Sequence, residues 1–258
     1  MIALTVALPA AAESIKVGGN GGALGLMGVL REAFSKIHPN QHVEIVHGLG
    51  SAGGRKALKA GALDVAVTSK PWKELEKTDD LISHLYGRAP LVIAVRQDNP
   101  VTNFTTKDIV DIYSGKSIYW PNRERIRVIL RPLTDTESEL LKSIDPQMVS
   151  ILMKAHQRGG MTIRVDDSQA ADALETTAGA MGTSTLSLIL AEKRALRAVP
   201  LDKIVPSKEN MAQGSYRLFK SFFISTRAQA SPDARLFVDF VLSPEAKPIL
   251  ESLGHWVP

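Results

Sequence analysis

The sequence predicts an α/β protein organised around a parallel sheet, and three observations carry that prediction. Short apolar runs alternate with helical patterns in the order βαβαβ over residues 14–67, and such crossovers through helices make neighbouring strands parallel. Glycine-rich stretches at residues 19–22 and 50–54 follow the first two of these strands, where a parallel sheet places its ligand-binding loops. The chain of 258 residues is 44% hydrophobic and only 5% aromatic, which suits one large or two ordinary cores and excludes disordered or collagen-like chains.

Each element has a local reason. Residues 14–18 form the first strand, and a helix follows over 24–38 because Leu26, Val29, Leu30, Phe34 and Ile37 recur at helical spacing. A second strand over 43–47, a helix over 54–60 and a third strand over 63–67 complete the unit. Residues 91–95 read as a strand leaving it, and Thr105 to Asp108 cap a helix that stops near Ser114 and Gly115. A second αβ set has a strand over 127–130, then helices over 136–144, 149–156 and 168–176, with Asp167 or Ser168 near the last cap. Residues 180–190 read as a strand running into a helix. Residues 215–226 alternate Tyr216, Leu218, Phe222 and Ile224 as a strand, and 232–242 form an amphipathic helix that needs a core to cover. Placing that tail back on the first unit gives two lobes and two crossings, with 13–90 and 198–258 in the first lobe and 91–197 in the second. No internal repeat or low-complexity segment interrupts the pattern.

Composition narrows function. The net charge of +4 comes from 31 basic and 27 acidic residues scattered along the chain, densest at Arg123, Arg125 and Arg127, and no interleaved aromatics or basic stripe favour nucleic acid. The six histidines show no HxxxH or HExxH spacing and cysteine is absent, so neither a metal nor a cofactor is expected. Ser51 does not sit in a GxSxG elbow, and neither a GxxxxGK[ST] loop nor a complete GxGxxG fingerprint occurs, so no catalytic residue and no enzyme are expected. Residues 1–12, with the apolar run Ile2 to Leu8 before Pro9, Ala10, Ala11 and Ala12, read as a truncated export signal; a buried strand is the competing reading. Export would make the mature chain, from about Glu13, periplasmic. No other run approaches the ~20 apolar residues of a membrane span.

The most informative stretch is His47 to Gly54. A small-residue loop opening a helix presents free N–H groups and the positive end of the helix dipole, a setting for an anion. Taken alone it reads equally as a tight strand-to-helix turn. Arg131, before Pro132 at a strand end, likewise reads as either a ligand-facing cation or half of a salt bridge. Lys70 is a candidate for electrostatic steering, and Thr68 and Thr134 also read as loop-capping hydroxyls.

The order and spacing of several short motifs identify a resemblance. They are Gly19-Asn20-Gly21-Gly22-Ala23, Gly50-Ser51-Ala52-Gly53-Gly54, the strand exit from Asp64 to Pro71, Asn99-Pro100-Val101 leading to Asp111-Ile112-Tyr113-Ser114-Gly115-Lys116 and Trp120, and Leu130-Arg131-Pro132. Thr177-Ala178-Gly179-Ala180-Met181-Gly182, Gln213-Gly214-Ser215-Tyr216 and Leu242-Ser243-Pro244-Glu245 follow. The chain from Ser14 to Pro258 resembles the type 2 periplasmic substrate-binding proteins, and within them the phosphate-binding subunits of ABC importers. The resemblance implies a two-lobed, venus-flytrap fold with a two-stranded hinge, a monomer that closes on phosphate or a related oxyanion and delivers it to an ABC permease in the inner membrane. It implies backbone donors at Ala23 and Leu24, hydroxyl and N–H donors at Ser51, a buried cation at Arg131, and donors from Thr134, Asp135 and Thr136 at a helix N-terminus. Two departures stand out. Ser69 occupies the position of the family's aspartate, and Asp135-Thr136-Glu137 replaces its Ser-Gly-Thr, which makes Asp135 a candidate for a relocated acceptor of the ligand's proton. A different oxyanion, such as sulfate, molybdate or tungstate, or a sensory module of the same fold, are the alternative readings.

Overall fold

The structure is a computed structural model that describes residues 14–72 and 80–258, so the signal-like segment 1–12 lies outside the described residues. The first unit contains β1 (Ile15–Gly19), α1 (Gly21–Ile37), β2 (Val43–Val46), α2 (Gly50–Lys59) and β3 (Val65–Thr68). β1 is its middle strand and runs parallel to both neighbours, as two helical crossovers require.

Both helices start earlier than apolar spacing suggests. α1 takes in Gly21 and Gly22, and α2 takes in the whole stretch from Gly50 to Gly54. Close packing explains why glycine is used there: a Cβ on Gly54 would lie 2.6 Å from the Cα of Gly19, so α2 rests directly on β1. Gly19 itself has φ +135°, and a Cβ there would sit 2.1 Å from the Val67 carbonyl oxygen.

β4 (Leu81–Arg96) and β9 (Phe219–Arg227) are the two strands that join the lobes. They pair antiparallel from Leu81 to Pro90, with a bulge between Leu85 and Gly87, and β9 also pairs with β3. The sequence reading found only the second half of β4, because Gly87 and Pro90 break the strand signal; the bulge accommodates that glycine. Beyond Pro90, β4 pairs with β7 (Ala180–Thr185) and β8 (Leu196–Val199) in the second lobe. There β7 runs parallel to β5 (Arg127–Leu130), which runs parallel to β6 (Thr162–Ile163). The resulting order is β2-β1-β3-β9-β4-β7-β5-β6, with β8 on β4.

The second lobe carries α3 (Thr106–Ser114), α4 (Thr136–Lys142), α5 (Met148–Gln157), α6 (Asp167–Thr176) and α7 (Leu186–Ala191). α3 begins with a full capping box between Thr105 and Asp108 and ends at Gly115 in the left-handed region, as the sequence predicts. α8 (Lys208–Ala212), α9 (Pro232–Val241) and α10 (Lys247–Ser252) follow. α9 returns to the first lobe, where Phe237 and Phe240 pack on Phe34 of α1 at ring-centroid distances of 5.2 and 5.5 Å. The stretch 198–218, assigned to the first lobe from sequence, packs on the second instead. β8 pairs with the second half of β4, while Leu201, Ile204, Tyr216 and Leu218 find their apolar partners in Leu91, Leu140 and Ile144. The crossing point is therefore narrow, between Leu91 and Leu218, whose backbones are hydrogen-bonded at 2.9 Å.

Two glycine substitutions separate close packing from helix propensity. Gly54→Ala forces a Cβ into β1 and is expected to destabilise the chain by about 1–3 kcal/mol. Gly28→Ala, mid-helix in α1 with nothing within 4 Å of the new Cβ, is expected to stabilise it by about 0.5–1 kcal/mol. Urea denaturation of both variants measures the two signs.

Candidate functional site

The carboxyl ends of β1, β3 and β5 converge on one cleft between the lobes, the position that a parallel sheet reserves for ligands. The cleft is a cavity of about 460 Å³ whose lining includes Asn20, Ser51, Ser69, Arg131, Asp135 and Thr136. Gly50, Ser51 and Ala52 of the first turn of α2 form part of its wall, and the N-cap residue Leu49 supplies no side-chain cap. The N–H groups of that turn have no intrahelical acceptors and carry the positive end of the dipole.

Three hydroxyls bridge the lobes beside this helix end. Ser51 Oγ and Ser69 Oγ are 3.3 Å apart, and the Ser69 N–H donates to Ser51 Oγ at 3.2 Å. Ser69 Oγ reaches Thr136 Oγ1 on α4 at 3.1 Å. Thr134 lines the exposed mouth, as do Lys70 and Arg55, and the latter donates to the Lys70 carbonyl and lies over the Trp72 ring.

Arg131 is buried at the base of the cleft. Its Nη2 donates to Asp135 Oδ2 at 2.8 Å and lies 3.6 Å from Asp167 Oδ1, while Nη1 donates to the Arg164 carbonyl at 2.9 Å. Asp135 also caps α4 through the Glu137 N–H. Behind Arg131 lies a second cation, Lys220 of β9, fully enclosed and bonded to Asp167 at 2.8 Å and Glu137 at 3.1 Å. Glu137 accepts in addition from the Thr183 hydroxyl. Asp167 accepts from Asn20 Nδ2 at 3.0 Å and from the Gly22 N–H at 3.1 Å, so a carboxylate of the second lobe fills the N-terminus of α1.

That filling changes the expected role of the first glycine-rich turn. Because α1 starts at Gly21, Ala23 and Leu24 lie inside it, buried and away from the cavity lining, and the Ala23 N–H donates to the Asn20 carbonyl at 3.0 Å. The structure thus brings Ser51, Ser69, Arg131, Thr134, Asp135 and Thr136 to one cleft and leaves Ala23 and Leu24 in the core.

Burial and neighbouring charge set the protonation of the cluster. Burial pushes Glu137 up to about 7, Lys220 and Arg131 opposing the rise and Asp167 adding to it. Asp167 goes the other way: burial would raise it, but Lys220 and Arg131 outweigh that effect and hold it well below the ordinary carboxylate range. Lys220 and Arg131 are both held above their usual values, since Asp167 and Glu137 outweigh the burial that would lower them. Below neutral pH, the two cations therefore face an ionised Asp167 and a protonated Glu137.

Sequence reasoning missed Asn20, Glu137, Asp166, Asp167 and Lys220 as parts of the site. Lys220 had a readable trace: it occupies the inward position between Leu218 and Phe222 in the alternation of β9, where a charge needs partners. Asp167 read only as a helix-cap residue; Asp166 is the cap, accepting from the Ser168 and Gln169 N–H groups.

Comparison with known proteins places this geometry among relatives. The model of the PBP superfamily domain matches residues 5–245. Protein SphX of Synechococcus elongatus is 28% identical over 242 residues, covering 84% of this chain and 69% of that protein. The phosphate-binding protein PstS of Bacillus subtilis is 22% identical over 257 residues, covering 96% and 81%. A Clostridium perfringens protein whose crystal structure holds bound phosphate superposes with a TM-score of 0.76 at 20% identity, covering 95% of this chain and all of that one.

The proton on Glu137 makes stability depend on pH. The folded chain keeps this proton to about pH 7, whereas an unperturbed glutamate loses it near 4.5. Between those values the folded state binds more protons, so stability falls as pH rises and the loss is complete above the folded value. Asp167, held low, contributes only in acid. Buried His255, held down to about 3, acts in the opposite sense below about pH 6.5. In thermal melts the wild-type Tm is therefore expected to change little between pH 5 and 8, whereas Glu137→Gln is expected to expose the histidine's slope, with Tm lower at pH 5 than at pH 8 by on the order of 5 °C; a profile left flat by Glu137→Gln would remove Glu137 from the balance.

Proposed function

The chain belongs to the PBP superfamily, and on that premise we propose that it captures inorganic phosphate between its lobes and delivers it to an ABC permease. The observation that carries this reading is the row of Ser51, Ser69 and Thr136 hydroxyls that spans the lobes beside Arg131 and the open N-terminus of α2. Hydroxyls, helix N–H groups and one guanidinium are the donors a tetrahedral oxyanion takes when it leaves water. The relatives named for phosphate binding, and the neighbour that holds phosphate, support the same ligand. In this reading the protein is an exported, monomeric binding protein without catalytic activity, and the permease sits in the membrane it faces.

Selectivity follows from Asp135. Arg131 is already paired with that carboxylate at 2.8 Å, so a ligand reaching the guanidinium also meets a negative oxygen. An oxyanion that carries a proton donates it to Asp135 and gains a charge-assisted hydrogen bond. A fully ionised oxyanion such as sulfate has no proton to give and is repelled. Hydroxyls at Ser69 and Thr136 adjust, since each donates or accepts.

Isothermal titration of phosphate-stripped protein is expected to show one tight phosphate site and no comparable sulfate binding. Arg131→Gln is expected to weaken phosphate by about 10–100-fold, the scale of a lost charged hydrogen bond. Asp135→Asn is expected to narrow the gap between phosphate and sulfate; a gap that stays unchanged would remove Asp135 from selectivity, and equal wild-type affinity for both anions would overturn the phosphate reading.

A further inference from the structure

β5 carries an arginine at each end. Arg131 closes it at the interlobe cleft, and Arg127 opens it on the opposite side of the second lobe, where a separate cavity of about 500 Å³ lies between the end of α3, the start of β5 and the loop after α5. Four residues of strand, about 13 Å of backbone, separate the two sites.

The lining of this hollow includes Arg125, Arg127 and Arg158 and contains no acidic residue. Arg125 is exposed and has no hydrogen bond or ion pair among the described residues. Arg127 donates to the Ala178 carbonyl at 2.8 Å and Arg158 to the Tyr113 carbonyl at 2.9 Å, bonds that orient each guanidinium while leaving its charge uncompensated. Asp111, on the adjoining helix, is already engaged by Lys107 and Lys116. On the facing wall, Gly159 and Gly160 have nothing within 4 Å of where a Cβ would stand, which leaves their backbone open to the hollow.

Three guanidiniums gathered without a counter-charge repel one another, and a polyanion converts that repulsion into attraction. We propose that this hollow is a second anion site, distinct from the interlobe cleft, which takes a ligand carrying adjacent phosphoryl groups. Each planar guanidinium offers a fork of donors to a pair of phosphoryl oxygens, and the volume exceeds what a single phosphate fills. A short polyphosphate and the headgroup of a lipid diphosphate share this chemistry. The proposal does not depend on what the cleft binds.

Titration calorimetry of the full chain with tripolyphosphate, in saturating orthophosphate and at an ionic strength of about 0.1 M, tests it. One site is expected, weakened at least about tenfold by Arg125→Gln and by Arg127→Gln. Arg235→Gln, which alters an exposed arginine on α9, is expected to leave it unchanged. The Arg125 side chain makes no hydrogen bond or ion pair among the described residues, so its variant separates binding from folding. Sedimentation with phosphatidylcholine vesicles carrying a polyprenyl diphosphate forms the second arm: vesicle binding with the same dependence on Arg125 assigns a lipid diphosphate headgroup, and tripolyphosphate binding alone assigns a free polyanion. Absence of binding to both probes, or equal loss in Arg235→Gln, would overturn the site.

Discussion

Everything in the cleft rests on the ion cluster that links Lys220, Asp167, Glu137 and Arg131. Lys220 is enclosed on a strand that joins the lobes, and an isolated ammonium in that position would cost several kcal/mol. Asp167 from the second lobe neutralises it, Glu137 from α4 accepts a second hydrogen bond from it, and Asp167 is in turn held by Asn20 and Gly22 of the first lobe. A single carboxylate therefore bonds a joining strand, the start of α1 and its own helix. Removing any one partner leaves a buried charge or donor without compensation, which is why these residues act as a unit rather than as separate contacts.

The cluster also determines how much of the cleft's positive character reaches a ligand. With Asp167 seated on α1, the first glycine-rich turn has spent its foremost donor on protein, and the open helix end is that of α2. Asp135 takes a share of Arg131 in the same way. Under the proposed function, affinity then comes from directed hydrogen bonds more than from net charge, and directed bonds discriminate between protonated and fully ionised oxyanions where net charge alone does not. Steering of the anion toward the mouth is left to the exposed Lys70.

The sequence made much of this architecture legible, for identifiable reasons. The βαβαβ order, the capped α3 and the return of α9 rest on local periodicity and capping, which a chain displays residue by residue. The loop of Ser51 and the strand end at Arg131 were legible by position, whereas Ser69 and Thr136 were expected in the site only through the family resemblance. The first half of β4 was not, since Gly87 and Pro90 imitate a loop and only pairing with β9 makes the segment a strand. β6, β8, α8 and α10 are too short for any period to register. The Lys220 cluster was hidden for a different reason: Lys220 lies 53, 83 and 89 positions from Asp167, Glu137 and Arg131, and no local rule links them.

The placement of the lobe contacts bears on how occupancy becomes shape. Two sets of polar contacts span the lobes at the cleft. Asp167 with Asn20 and Gly22 is buried and independent of ligand, whereas the Ser69 to Thr136 hydroxyl contact lies in the cleft wall where a ligand would insert. Under the proposed function, an anion bound there would exchange one hydroxyl contact for several charge-assisted ones, and a difference of that kind is what shifts a closing equilibrium. The buried set fixes where the lobes meet, and the cleft set makes their meeting depend on the anion.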